Sequence, residues 1–85
     1  MASSLYSNQY RWLRGQLVRA RKAKGLTQAV VGRSLGVGQS QISKMERGEA
    51  FIDVLTFVAW CRCVGLEPAA LLASLPAPSG EGASS

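Results

Sequence analysis

Five side chains that can hydrogen-bond or carry charge gather on one side of a short segment: Gln39, Ser40, Ser43, Lys44 and Arg47 in "GQSQISKMERG", residues 38–48. At about 100° per residue, with Gln39 at zero, Ser43 falls at about 40°, Arg47 at about 80°, Ser40 at about 100° and Lys44 at about 140°. Ile42, Met45 and Glu46 take the opposite arc, from about 240° to about 340°. One side is built to anchor a helix and the other to present amides, hydroxyls and cations. Those groups suit base edges in a major groove. A glutamine amide accepts from adenine N6 and donates to N7, serine works in either sense, and lysine reaches guanine O6 and N7. Just upstream, Gln28 opens another helical segment beside free backbone N–H groups, a setting that favours a phosphate contact.

Such a face needs elements to hold it. The pattern of apolar residues, caps and glycines predicts five helices and no strand. The first covers about residues 8–24, with Tyr10, Leu13, Leu17 and Ala20 at helical spacing and Gly25 as its stop. Thr27 caps the second, which runs from Gln28 to about Leu35 with Val31 and Leu35 inward. Gly36 ends it at little steric cost, Val37 turns inward, and Gly38 opens the third helix, Gln39 to Arg47. Gly32 leaves room where helices 2 and 3 cross. Two short helices joined by so tight a turn form a helix-turn-helix. The fourth helix spans about Asp53 to Val64, and the fifth starts at Pro68 and ends near Leu75.

Composition sets the frame. Eighty-five residues, 47% hydrophobic and 18% charged, suffice for one small all-α domain. Its expected bounds are residues 8–75, with a flexible start at 1–7 and a disordered Pro/Gly/Ser tail at 76–85. The net charge of +5 favours an anionic partner. Six cations precede residue 25 (Arg11, Arg14, Arg19, Arg21, Lys22 and Lys24), whereas the acids begin at Glu46; alone, that run reads as a solvated helix face. The opening "MASSLYSNQYRWLRG" lacks the apolar centre of a signal peptide, and no apolar run approaches the roughly 18 residues of a membrane span. A cytoplasmic protein is therefore expected. There is no histidine, the acids are scattered, and neither Cys61 nor Cys63 has a partnered base, so an enzyme is not expected. No metal site or cofactor is implied, and the two thiols read as core packing.

Residues 13–72 resemble the lambda-repressor/Cro type of helix-turn-helix domain, the bacterial and phage family also called XRE. "LTQ" opens helix 2, "LGVGQSQIS" carries the turn and recognition helix, and "MERG" closes it. The resemblance implies a compact five-helix fold in which helices 2 and 3 form the DNA-binding unit. It implies that Gln28, Gln39, Ser40 and Lys44 lie nearest base edges. Gln28, Ser43 and Arg47 would help hold phosphates, with Gln28 also able to brace Gln39. It further implies a structural salt bridge between Arg21 and Glu46. Gly32 stands where the family more usually has alanine, and Gly38 where it has a hydroxyl cap.

Helix 4 carries more apolar surface than one core requires. Val54, Phe57, Val58, Cys61 and Val64 form an inward stripe, flanked by Trp60, and Leu55, Ala59 and Cys63 fall on nearly the opposite side. That second side calls for cover by helix 1, helix 5 or another subunit. A two-fold dimer has a purpose here, because it reads two half-sites. Phe51, Leu55, Ala59, Trp60 and Cys63 are the expected contacts. The reading is thus a homodimeric transcription regulator that binds double-stranded DNA at a palindromic operator, acting as a repressor, autoregulation included. The alternative is a protein-interaction module, such as an antitoxin or co-regulator subunit, that uses the apolar surface of helix 4.

Overall fold

The structure, a computed structural model, describes residues 7–78. Five helices follow one another: α1 (Asn8–Ala23), α2 (Gln28–Leu35), α3 (Gln39–Arg47), α4 (Val54–Val64) and α5 (Pro68–Ala73), with no strand among the described residues. Their starts are set by side chains that accept otherwise orphaned backbone N–H groups. Ser7 accepts from Tyr10, Thr27 from Val30, Asp53 from Thr56, and Glu67 from Ala70, at 2.8–3.1 Å. Gly38 begins α3 with no side-chain cap at all.

The turn between α2 and α3 decides how the pair sits. Gly36 adopts a left-handed conformation with φ 76°, which a residue bearing Cβ enters only with strain. The N–H of Val37 then reaches back to the carbonyl of Gly32 at 2.9 Å, and Val37 packs on the core. A Cβ on Gly32 would lie 2.7 Å from the Val37 carbonyl oxygen, so glycine is what permits this approach.

Leu17, Val31, Ile42, Met45, Phe57, Trp60, Cys61 and Val64 form a single core to which α1–α4 all contribute. The turn after α3 is tied down from α1. The Tyr10 hydroxyl donates to the Ala50 carbonyl and accepts from the Ile52 N–H, at 3.3 and 3.1 Å. Its ring meets Phe51 edge to face, and Arg14 lies over it, 5.8 Å from the centroid. Burial pushes the Tyr10 hydroxyl pKa up, against the opposing pull of the Ile52 bond and Arg14.

Several expectations change on contact with the structure. Trp60 is fully buried, not flanking, and so leaves the set of surface contacts. Val54 is 75% exposed, because it is the first residue of α4 and lies beyond the packed part of that helix. The buried stripe is therefore Phe57, Trp60, Cys61 and Val64, turned toward Trp60 from the expected one. Helix 5 stops at Ala73. At residues 76 and 77, the expected start of the tail, backbone carbonyls accept from α1. Gln9 donates to Pro76 O at 2.8 Å and Asn8 to Ala77 O at 3.1 Å. Residues 1–6 and 79–85, where the remaining terminal expectations fall, lie outside the described residues.

Candidate nucleic-acid interface

Helix α3 is seated by Ile42 and Met45, both buried, and turns Gln39, Ser40, Lys44 and Arg47 into solvent, with Ser43 half-buried at the edge. Among the described residues, nothing buries Gln39, Ser40, Lys44 or Arg47. The amide-and-cation face is therefore exposed to solvent.

Its first residue is held by a relay that starts in α1. Arg21 donates through Nε and Nη2 to the two carboxylate oxygens of Glu46 at 2.6 and 2.9 Å, and through Nη1 to the Leu26 carbonyl at 2.8 Å. Glu46 also accepts from Gln28 Nε2 at 2.9 Å, and Gln28 Oε1 accepts from Gln39 Nε2 at 3.0 Å. Each step orients the next. A carboxylate can only accept, so Gln28 must turn its NH2 group to Glu46 and its oxygen outward. That oxygen in turn requires the NH2 group of Gln39. The carbonyl oxygen of Gln39 and its second N–H remain available, which is the acceptor–donor pair that adenine's N6 and N7 demand. Gln28 keeps one N–H outside these two bonds. The Arg21–Glu46 bridge and the Gln28–Gln39 contact are thus both present in the structure, although residues 21 and 46 are too far apart in sequence for spacing alone to pair them.

At the other end of α3, Arg47 and Ser43 meet through a hydrogen bond from Nη1 to the Ser43 hydroxyl. Arg47 has a further partner that the sequence reading missed. Its Nε and Nη2 donate to the two oxygens of Glu49 at 3.0 and 2.9 Å, on an exposed surface. This contact raises the Arg47 pKa and lowers that of Glu49, in both cases first through the hydrogen bonds and then through the opposite charge. The only sequence signal was an acid two residues past a cation with Gly48 between them.

The remaining candidates separate. Phe51 is 57% exposed and Leu55 80% exposed, with Val54 beside Leu55, while Ala59 and Cys63 are half-buried. Cys63 packs partly on the core, and Cys61 lies within it; burial, then the charge of Glu67, pushes the Cys61 thiol pKa up. Among the described residues, no three His, Cys, Asp or Glu side chains group as metal ligands would, and no helix is long and apolar enough to cross a membrane.

Comparisons with known proteins bear on the fold and the family. A family model described as a helix-turn-helix domain matches residues 12–75. Among solved structures, the chain is similar to an XRE-family like protein from Pseudomonas syringae pv. tomato str. DC3000. The two are 42% identical over 76% of this chain and 79% of that one, with a TM-score of 0.72. No curated protein matches.

Proposed function

The chain belongs to the XRE family of helix-turn-helix proteins, and from that premise we propose that this DNA-binding regulator reads a palindromic operator as a homodimer and represses from it. The observation that carries the base-reading part is the relay ending at Gln39, which leaves one acceptor and one donor of a single amide facing outward. Lys44 and Ser40 extend that row along the same face. Ser43 and Arg47 lie at its edge, where a helix seated in the major groove runs beside the sugar–phosphate backbone.

Roles of this kind separate in mutants. Gln39→Ala or Lys44→Ala is expected to erase preference at particular base pairs, at about 1–3 kcal/mol each, while leaving other positions of the site unaffected. Selection from a random duplex pool followed by titration against single-base variants measures this; equal losses on every duplex would contradict the assignment. Arg47→Ala is expected to weaken binding to all sequences alike and to reduce the slope of log K against log salt by about 1.

The second subunit would meet Phe51 and Leu55, the exposed apolar residues where the α3–α4 turn enters α4, with Ala59 and Cys63 at the margin. Two recognition helices about 34–36 Å apart then read successive major-groove faces. Leu55→Lys is expected to shift sedimentation toward monomer and to abolish tight binding to the selected palindrome while sparing a half-site's weak affinity. A chain that stays monomeric at high micromolar concentration, with and without DNA, would favour the other reading of the same apolar residues: a surface for a different protein, as in an antitoxin or co-regulator subunit.

A further inference from the structure

The end of α3 holds an arrangement that the DNA-reading role leaves unexplained. Arg47 is the cation proposed above to meet a backbone phosphate, yet its guanidinium is already engaged. Two parallel N–H groups go to the carboxylate oxygens of Glu49, and a third N–H goes to the Ser43 hydroxyl. Two-point donation from a planar guanidinium to paired oxygens is the geometry an arginine uses on phosphate. The contact is also built into the backbone. Gly48 ends the helix in a left-handed conformation, φ 80°, and the Glu49 N–H bonds to the Lys44 carbonyl at 2.8 Å. The chain is thereby folded back so that Glu49 faces the last turn of α3.

We propose that Glu49 stands in for a DNA phosphate: it occupies Arg47 in the free protein, and the duplex must displace it or bind beside it. This rests on the DNA-binding reading. A phosphate approaching α3 meets a guanidinium whose charge is balanced and three of whose five N–H groups are spent. The penalty falls on every duplex alike, because backbone carries no sequence information. Glu49 thus subtracts from sequence-independent attraction and leaves the decision to the base-facing row of Gln39, Ser40 and Lys44. It is a residue that sets overall affinity and salt dependence while touching no base.

The test is a double-mutant cycle on the full chain. Dissociation constants and salt slopes are measured for wild type, Glu49→Gln, Arg47→Ala and the double variant, on the best selected duplex and on a scrambled one. Glu49→Gln is expected to tighten binding to both duplexes about two- to fivefold at low salt, to steepen the salt slope, and to leave the ranking of base preferences unchanged. With Arg47 replaced by alanine, the same substitution is expected to lose most of its effect. Melting curves of the four proteins, which should stay close because both side chains are exposed, keep folding out of the comparison. Unchanged affinity in Glu49→Gln would overturn the proposal. So would equal tightening with and without Arg47, which marks general charge repulsion, or an altered base preference, which marks Glu49 as a reader. A wild-type chain that enriches no duplex at all would instead overturn the DNA reading on which the proposal stands.

Discussion

Arg21→Ala is expected to lower folding stability by about 3–5 kcal/mol, the amount typical when one partner of a buried ion pair is removed. The pair's side chains are only 10% and 7% exposed. Deleting the guanidinium strands the Glu46 carboxylate with the Gln28 amide alone, and it leaves the Leu26 carbonyl without its Arg21 donor. For a small domain whose whole stability is on the order of 5–15 kcal/mol, that is a large fraction. Urea denaturation followed by circular dichroism reads the change directly, and an unmoved midpoint would show that the bridge contributes nothing. A second variant separates folding from recognition. Arg21→Met combined with Glu46→Leu removes both charges and fills the space with apolar atoms, an exchange that in other proteins has been neutral or stabilising. It should recover most of the lost stability. It should not recover the preference read by Gln39, because Gln28 then has no carboxylate to fix its amide. A doubly substituted protein that folds and still discriminates at that base pair would break the link between the buried bridge and the reading face.

That relay also shows where sequence reasoning stops. Helix starts and stops were legible because their causes are local. Thr27 and Asp53 accept N–H groups three residues on, and Gly36 takes a backbone conformation that its neighbours avoid. The faces of α3 were legible because nine residues suffice to set a period and Ile42 and Met45 fall on one side of it. The Arg21–Glu46 bond spans 25 positions and three helices, so only family resemblance could name it. Arg47–Glu49 escaped for the opposite reason: two residues apart on a regular helix they would point away from each other, and only the reversal at Gly48 brings them together.

Helix α4 marks a different limit. Its apolar residues cover so much of the circumference that periodicity left the centre of the buried stripe open by about half a residue's rotation. The packing of α1, α2 and α5 around α4 decides it. Val54 fits the stripe by angle but sits past the end of the packed region, whereas Trp60, large enough to fill the space between helices, takes the middle. Volume and helix length settled what hydropathy alone could not.

The place of Trp60 leads to the second large effect. Trp60→Ala is expected to cost about 3–5 kcal/mol, through lost burial and a cavity too large for the surrounding helices to close. It should leave the protein partly unfolded near physiological temperature. Trp60→Phe should behave very differently. The indole Nε1–H is buried and meets no acceptor among the described residues, so that polar group contributes no bond and carries a desolvation cost. Phenylalanine removes the orphaned donor along with part of the volume, and the two changes offset each other. Thermal and urea unfolding of both variants test this ranking: equal losses would mean that the N–H is satisfied after all. The same pair of variants bears on assembly. Because Trp60 lies in the core, Trp60→Phe should leave self-association as it is in the wild type, while Leu55→Lys, 80% exposed on the other side of α4, should alter self-association with little change in unfolding. If instead Trp60→Phe dissociated a dimer without lowering stability, the indole would have to face the partner, and the core arrangement described for α4 would be wrong.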